Sequence, residues 1–549
     1  MNRDFVLIEK TIGQIFDDIV RKYPDNEATV YIEKNLRQTW KELGQRVDAL
    51  AKGLMAAGLK AGEKIAIWAT NVPNWIEIVF ASAKIGVISL TINPSYRENE
   101  LEYILKDSES ENLALIDAGC GFEFLAQMHK MEDHSPDDVS KLPCLRRLFF
   151  MGEHPVPGMN SIAELMELGK SISPADYAAR QKAVNAAGTA NMQYTSGTTG
   201  VPKGVMLTHL NIVNNSYWNG ASQRLGPKDR ICVSVPFFHC FGIVASILCS
   251  AHFGSTLIIL PTINPALIMH VIEQEHCTAL YGVPSLFLAL VQHRNFDKTD
   301  FSSLRTGISG ASICPAPLMK QIIERMHMSE ITNAYGQTEC SPTMCMTAYD
   351  ENFERKVKTV GLALPGGTVK ILDPETGEEV PLGQVGEICC QGVYVMQGYY
   401  KKPVETARAI DKNGCLHSGD LGKMDAAGYV FVTGRIKDMI IRGGENISPL
   451  EVEEFIMTLP GVRDVQVVAV PSKKYGEEVG AFIIPQPDAG LTPQSIRAQC
   501  RKKIAGFKIP RHIHFLESYP VTTSGKVKKY ELRELAAKIF VKTTNNTEE

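Results

Sequence analysis

Between Trp40 and Asn93 the chain switches repeatedly between two hydrophobic periodicities. "WKELGQRVDALAKGLMAAGL" spaces its apolar residues as a helix does and ends in Gly. "KIAIWAT" is a short apolar strand, "NWIEIVFASAKIG" is helical again, and "VISLTIN" is a second strand. A β-α-β rhythm of this kind requires a parallel sheet covered by helices. The rhythm returns at "TLIILP", "ALIMHVIEQEH" and "ALYGV". Residues 130 to 190 are more polar and read as a loop-rich insertion with a helix or two.

Further along, "TVKILDPETGEEVPLGQVGEICCQG" breaks into short strands separated by Pro, Gly and Asp turns, the pattern of an antiparallel β region. After "GRIKDMIIRGGENISP" the chain restarts as helix "PLEVEEFIMTL", strands "VQVVAV" and "GAFIIP", helix "PQSIRAQCRKKI" and strand "IHFLES". That is enough for a small α+β domain. At 549 residues the chain is too long for one core. The expected fold is α/β. A large N-terminal domain of flanked parallel and mixed sheets plus an antiparallel β region covers residues 1–434. A small mobile α+β C-terminal domain covers 435–549.

Composition narrows the function classes. There are 57 basic and 61 acidic residues, a net charge of −4, which argues against nucleic-acid binding by bulk positive charge. The N-terminus lacks the pattern of a signal peptide, and no apolar run is long enough to span a bilayer. The thirteen Cys are scattered, with no CxxC spacing. Reduced thiols in a cytoplasm and no structural metal are the expectation. The terminal "TTNNTEE" is polar and carries no peroxisomal or lipidation signal.

The densest chemical signal is "QYTSGTTGVPKGVMLTH", residues 193 to 209, which sets hydroxyls and glycines beside Lys203. Glycines let backbone N–H groups turn toward an anion, hydroxyls add donors, and Lys adds a mobile charge. "NMQY" before the loop reads as a strand end and "VMLTHLNIVNNS" after it as a helix, the setting of phosphate-binding loops. The spacing does not match a Walker A loop, so a different phosphate cradle is expected. Taken alone, a short Ser/Gly run is also compatible with a plain turn.

Seven more motifs follow in order: "PFFHCFG" (236–242), "ISGASICP" (308–315), "NAYGQTE" (333–339), "GEICCQG" (386–392), "HSGDLG" (417–422), "GRIKDMIIRGGENISP" (434–449) and "TSGKVKK" (523–529). With "YTSGTTGVPKG" they resemble the signature of the acyl-adenylate-forming superfamily, which includes acyl-CoA synthetases, peptide-synthetase adenylation domains and beetle luciferases. The set is most similar to the medium-chain acyl-CoA synthetase branch, and it covers nearly the whole chain.

The resemblance implies two steps. A carboxylate attacks the α-phosphorus of ATP to give an acyl-adenylate and pyrophosphate, and the thiol of coenzyme A then displaces AMP. It assigns Thr195, Ser196, Gly197, Thr198, Thr199, Gly200 and Lys203 to the β- and γ-phosphates. Glu339 is implied as the Mg²⁺ ligand and Thr338 as a donor to the α-phosphate. Tyr335 and Asn333 are implied at adenine, with Gly310, Ala311 and Val432 lining the nucleotide site. Asp420 is expected on the ribose hydroxyls and Arg435 on ribose or phosphate. Lys526 is the expected catalytic cation of the first step, although Lys528, Lys529 and Arg533 beside it would also suit a solvated basic face. Lys437 is the implied hinge, and Gly443, Gly444 and Glu445 the implied coenzyme A surface. His239 is expected between the ATP and acyl sites.

For the acyl group the resemblance implies an open wall at Gly307, Gly310, Ala311 and Gly336, where acetate-selective relatives carry a Trp in place of Gly336. No Asp suited to a substrate amino group occurs in "PFFHCFGIV". A medium-chain fatty acid is the leading substrate, followed by a cyclic or aryl carboxylate such as cyclohexanecarboxylate or benzoate. The reaction could run in reverse to make ATP. The competing class is a non-catalytic nucleotide binder or a module that loads a carrier in trans. The small-molecule partners implied are the acid, ATP and coenzyme A. No nucleic acid or membrane span is expected, and the protein is expected to be a monomer or homodimer.

Overall fold

The computed structural model describes residues 4–119, 122–126, 128, 142, 144–196, 202–312, 314–501, 503–522 and 526–541. The fold is mixed α/β and divides into two compact units, residues 1–369 with 390–416 and residues 370–389 with 417–549.

The first unit is built on two large sheets. The eight-stranded sheet has Lys64–Trp68 in its middle, paired in parallel with Ile88–Thr91 on one side and Asn112–Leu115 on the other. Strand Lys64–Trp68 is buried throughout, as a central parallel strand requires. Helix Trp40–Ala56 opens on a capping box: the Thr39 hydroxyl accepts from the Glu42 N–H, and the Glu42 carboxylate reaches back to the Thr39 N–H. Phe16 of helix Ile12–Lys22 stacks on Phe80 of helix Pro73–Lys84 with ring centroids 4.2 Å apart. In the same region the buried Lys84 places Nζ 2.5 Å from both Asp17 and Asp48, which offsets the cost of its burial.

The polar stretch expected as an insertion after residue 130 contributes to this sheet. Arg147–Phe150 pairs in parallel with Asn112–Leu115, and Asn160–Ser161 pairs with it in turn. The apolar run "RLFF" was too short to stand out against its polar flanks.

The nine-stranded sheet carries Ala279–Gly282, Thr306–Gly310 and Glu330–Gly336 as parallel neighbours. Helices Pro265–Glu275, Pro284–Val291 and Ala316–Arg325 bury Ile268, Ile272, Leu290, Leu318 and Ile322 in one apolar core with Leu280 and Ile331 of the strands.

The second unit holds most of a four-stranded sheet, ordered Gly367–Leu372, Gly386–Gly392, Leu416–Met424, Val430–Arg435. It also holds a five-stranded sheet centred on Gly476–Pro485, which pairs antiparallel with Val462–Ser472 and in parallel with His512–Phe515. Helices Pro449–Met457 and Pro493–Cys500 cover it through Val452, Ile456 and Ile496. No helix among the described residues is long and apolar enough to cross a membrane. None of the described Cys is in a disulfide, and all but Cys144 are buried.

Candidate active site

In the first unit, strands Thr189–Ser196 and Pro202–Thr208 pair antiparallel, with Thr195 opposite Lys203. The expectation that a helix follows the loop directly needs correction. Pro202–Thr208 is a strand, and helix His209–Ser222 begins only after Thr208 caps it with a side-chain oxygen on the Asn211 N–H. "PKGVMLT" is the second strand of a hairpin, and the helical periodicity begins only with "HLNIVNNS". Gly197, Thr198, Thr199 and Gly200 lie outside the described residues, as does the Ser196 side chain. The cradle is therefore defined by its two ends, Thr195 and Lys203.

Glu339 sits in the turn Thr338–Cys340, just beyond strand Glu330–Gly336. Its Oε1 accepts from the Thr195 hydroxyl at 3.3 Å and from the Tyr399 hydroxyl at 2.9 Å. The Met396 N–H fixes its backbone carbonyl at 2.8 Å. Nζ of Lys203 lies 4.6 Å from the centroid of the Tyr399 ring. The hydroxyl of Tyr399 is held protonated by burial and then by the Glu339 charge, so it remains a donor. Tyr399 thus joins the Glu339 carboxylate, which accepts from Thr195, to Lys203 on the facing strand of the hairpin. The sequence reading missed it. Its only signal was an aromatic directly after a Gly in "MQGYY".

Glu339 also answers whether a hard cation fits. Its two hydroxyl donors are neutral, so they orient the carboxylate and leave its negative charge for a metal. Thr338 beside it is buried.

Asn333 lies on the same strand. Its Nδ2 donates to the Lys356 carbonyl, while its Oδ1 is buried without a hydrogen-bond partner among the described residues. A buried amide oxygen without a donor is costly unless a ligand supplies one. An exocyclic amine, such as that of adenine, is a donor of the right kind. Tyr335 stands two residues on, opposite Cys345 of the neighbouring strand.

The aromatic segment 236–242 is clamped from below. The Asn71 side chain donates to the Val235 carbonyl at 3.0 Å and accepts from the Phe237 N–H at 2.9 Å, and Thr91 donates to the Phe238 carbonyl at 2.8 Å. His239 is half-buried and packs edge-on to Phe238, with ring centroids 6.1 Å apart. A π-helical stretch, Ile243–Leu248, follows, a feature frequent at functional sites. A Cβ placed on Gly310 would lie 3.4 Å from the Phe241 ring, so this segment and "ISGAS" face one another. Ala311 takes φ +69°, a conformation that a non-glycine residue adopts at a cost.

Gly307 and Gly336 have another physical reason to be glycine. A Cβ at Gly307 would lie 2.0 Å from the Leu280 carbonyl oxygen, and one at Gly336 would lie 2.0 Å from the Pro342 carbonyl oxygen. Both positions are closed by backbone.

In the second unit the hairpin of Leu416–Met424 and Val430–Arg435 gathers Asp420, Val432 and Arg435. Arg435 stands opposite Asp420 in the register, and its Nε donates to Asp420 Oδ1 at 2.5 Å. Lys437 follows in the exposed turn Ile436–Asp438. Gly443 and Gly444 form the two-residue link between strands Ile440–Arg442 and Glu445–Ile447, with φ +59° and +91°. Two positive φ angles in a two-residue hairpin call for this Gly-Gly pair. A side chain at Gly444 would meet nothing within 4 Å. Glu445 is exposed.

Lys526 is exposed. Its carbonyl accepts from the Thr522 N–H at 2.7 Å, and its N–H donates to the Thr522 hydroxyl at 3.1 Å.

Comparison with known proteins gives the family. The AMP-binding enzyme family matches residues 16–400, and the AMP-binding enzyme C-terminal domain matches 451–526. The chain is 42% identical to the YngI protein of Bacillus subtilis (strain 168), over 97% of this chain and 98% of that one. It is 38% identical to the mitochondrial medium-chain acyl-CoA ligase ACSF2 of Danio rerio, over 97% and 89%. Among solved structures, ATP-bound MatB from Rhodopseudomonas palustris superposes with a TM-score of 0.83 at 26% identity, covering 97% of this chain and all of that one.

Proposed function

The chain belongs to the AMP-binding enzyme family, and on that premise we propose that it is an AMP-forming carboxylate–CoA ligase acting on a medium-chain fatty acid. The observation that carries the reading is the joining of Thr195, Glu339, Tyr399 and Lys203 around the ends of one loop. A carboxylate with neutral donors and a lysine a few ångströms away suit a triphosphate and its metal. The unfilled Oδ1 of Asn333 suits the adenine amine.

In the first step an oxygen of the substrate carboxylate attacks the α-phosphorus of ATP. The bond to the bridging oxygen breaks, and pyrophosphate leaves. The attacking group is already ionised, so no general base is needed. Thr195 and Lys203, with the loop between them, hold the β- and γ-phosphates. Thr338 donates to the α-phosphate, and Tyr335 stacks on adenine. Glu339 is the residue that would hold Mg²⁺, which when bound neutralises phosphate charge. Asp420 accepts from the ribose hydroxyls, and Arg435, its partner here, orients that carboxylate. Lys526 supplies positive charge to the developing transition state, the main device open to a protein in such transfers.

In the second step the thiol of coenzyme A attacks the acyl carbon. Its proton is lost and AMP leaves. The functional division is residues 1–434 and 435–549, with Lys437 as the hinge and the turn at Gly443, Gly444 and Glu445 lying along the pantetheine chain. This boundary falls inside the compact second unit, before the last residue of strand Val430–Arg435. The aromatic segment at His239 and the facing Gly310–Ala311 form the acyl wall.

The test is pyrophosphate release with ATP, Mg²⁺ and coenzyme A across acetate, butyrate, hexanoate, octanoate, laurate, benzoate and cyclohexanecarboxylate. A maximum at six to ten carbons is expected. A maximum at a ring acid would move the substrate to the cyclic or aryl class. Silence across the panel with ATP still bound would favour a nucleotide binder or a carrier-loading module.

A further inference from the structure

We propose that Glu387, Cys389 and His417 form a binding site for a thiophilic divalent cation of the zinc class. Residues two apart on a strand share a face, so Gly386–Gly392 presents Glu387 and Cys389 together. The adjacent strand Leu416–Met424 brings His417 beside them. One donor atom from each of the three lies within 4.8 Å of the others. Nδ1 of His417 is 2.7 Å from Glu387 Oε2 and 3.5 Å from Cys389 Sγ. In a tetrahedral zinc site, donor atoms stand about 3.3 to 3.6 Å apart, as bond lengths near 2.0–2.3 Å dictate. The His–Cys separation already falls in that range, and the Glu–His separation must widen by roughly half an ångström.

The surroundings fit a metal as well as the donors do. Glu387 and Cys389 are buried, and the His417 side chain is 28% exposed, which leaves a way in from solvent. The second oxygen of Glu387 accepts from the Gly419 N–H at 2.8 Å. That outer contact fixes the carboxylate and leaves Oε2 for the cation, the usual arrangement around protein metals. A thiolate, an imidazole and a carboxylate with one open position are the donor set of zinc, and magnesium prefers oxygen alone. Binding expels the Cys389 thiol proton to solvent and takes the neutral imidazole through Nδ1, with the ring proton on Nε2. No spacing motif announces the site, because Cys389 and His417 lie on different strands, 28 residues apart in sequence.

His417 and Gly419 flank Ser418 in the segment that carries Asp420. Coordination would replace the His417–Glu387 hydrogen bond with a firmer link between the two strands. Metal occupancy is thereby tied to the position of the proposed ribose carboxylate, and this last step rests on the functional reading above. The binding itself does not.

The experiment is titration of the full chain with Co²⁺ under reducing conditions. It is followed by near-ultraviolet thiolate-to-cobalt charge transfer and by the visible bands of tetrahedral cobalt. One Co²⁺ per chain, displaced by equimolar Zn²⁺ and untouched by excess Mg²⁺, is expected. Cys389→Ala should abolish the charge-transfer band. His417→Gln, at a partly exposed position, should weaken binding at least tenfold and covers the case in which the buried cysteine variant does not fold. No charge-transfer band in the parent protein, or a band of equal strength and affinity in either variant, would overturn the site.

Discussion

The hydroxyl of Tyr399 donates to Glu339 at 2.9 Å, and the face of the same ring lies 4.6 Å from Nζ of Lys203. One side chain therefore sets the distance between the group proposed to hold metal and the group proposed to hold phosphate. Tyr399→Phe keeps the ring and removes the donor. A hydrogen bond to a charged group contributes about 1.5–3 kcal/mol, so adenylate formation should fall by roughly ten- to a hundredfold. The loss should be largest at low Mg²⁺, because the misplaced group is the carboxylate. Pyrophosphate release measured against Mg²⁺ concentration checks this. An unchanged Mg²⁺ dependence would separate Tyr399 from Glu339.

Asn333 should read the exocyclic amine of adenine through Oδ1, which has no hydrogen-bond partner among the described residues. Asn333→Ala is expected to raise KM for ATP about tenfold, the worth of one buried hydrogen bond, with KM for the acid unchanged. Inosine triphosphate lacks that amine. The parent enzyme should prefer ATP over it, and the variant should lose most of the preference. Equal preference in both proteins would remove Asn333 from adenine recognition.

The motif residues were legible in the sequence because their chemistry is local. Glu339 and Lys203 stand out by type and by company. The parallel strands 64–68, 88–91 and 279–282 were legible because a buried strand is a short apolar run whatever surrounds it. Tyr399 was not legible, since its role depends on meeting a residue 60 positions away. The hairpin strand 202–208 was missed because a strand leading directly into a helix blurs both periodicities. Gly336 was read as space left for substrate, and only the path of the chain at Pro342 supplies a second cause.

Gly336 supplies the third prediction. A Cβ there would meet the Pro342 carbonyl at 2.0 Å, an obstacle of backbone that cannot rotate away. Gly336→Ala should therefore destabilise the fold by about 2 kcal/mol or more, as overpacking does. Gly336→Trp should cost more still before any change in chain-length preference can be read. Thermal unfolding of the two variants checks it. A Trp variant that melts with the parent and now prefers acetate would show that the position faces the acyl chain.

Lys526 is exposed, and its hydrogen bonds to Thr522 are made by its backbone N–H and carbonyl. Lys526→Ala should leave stability unchanged. Adenylate formation should drop by roughly two to three orders of magnitude, the scale of losing one placed charge in a transition state. Thioester formation from a supplied acyl-adenylate should survive. Parallel loss in both half-reactions would deny Lys526 a role confined to the first step.

Acid should destabilise the fold through a buried histidine. His209 is 2% exposed, and its Nδ1 accepts the Ile12 N–H at 3.1 Å. Burial pushes its pKa down to about 4. An unfolded histidine titrates near 6.5, so between pH 6.5 and 4 the unfolded chain binds a proton that the folded one refuses. The stability from keeping His209 neutral is complete above pH 6.5 and is lost as pH falls toward 4. At pH 5 the loss relative to pH 7.5 is about 2 kcal/mol. In His209→Asn the amide oxygen can take over the Ile12 N–H and does not titrate. Urea unfolding of both proteins at the two pH values decides the point: the variant should lose about 2 kcal/mol less than the parent between them. Equal losses would mean that acid acts on the fold through other groups.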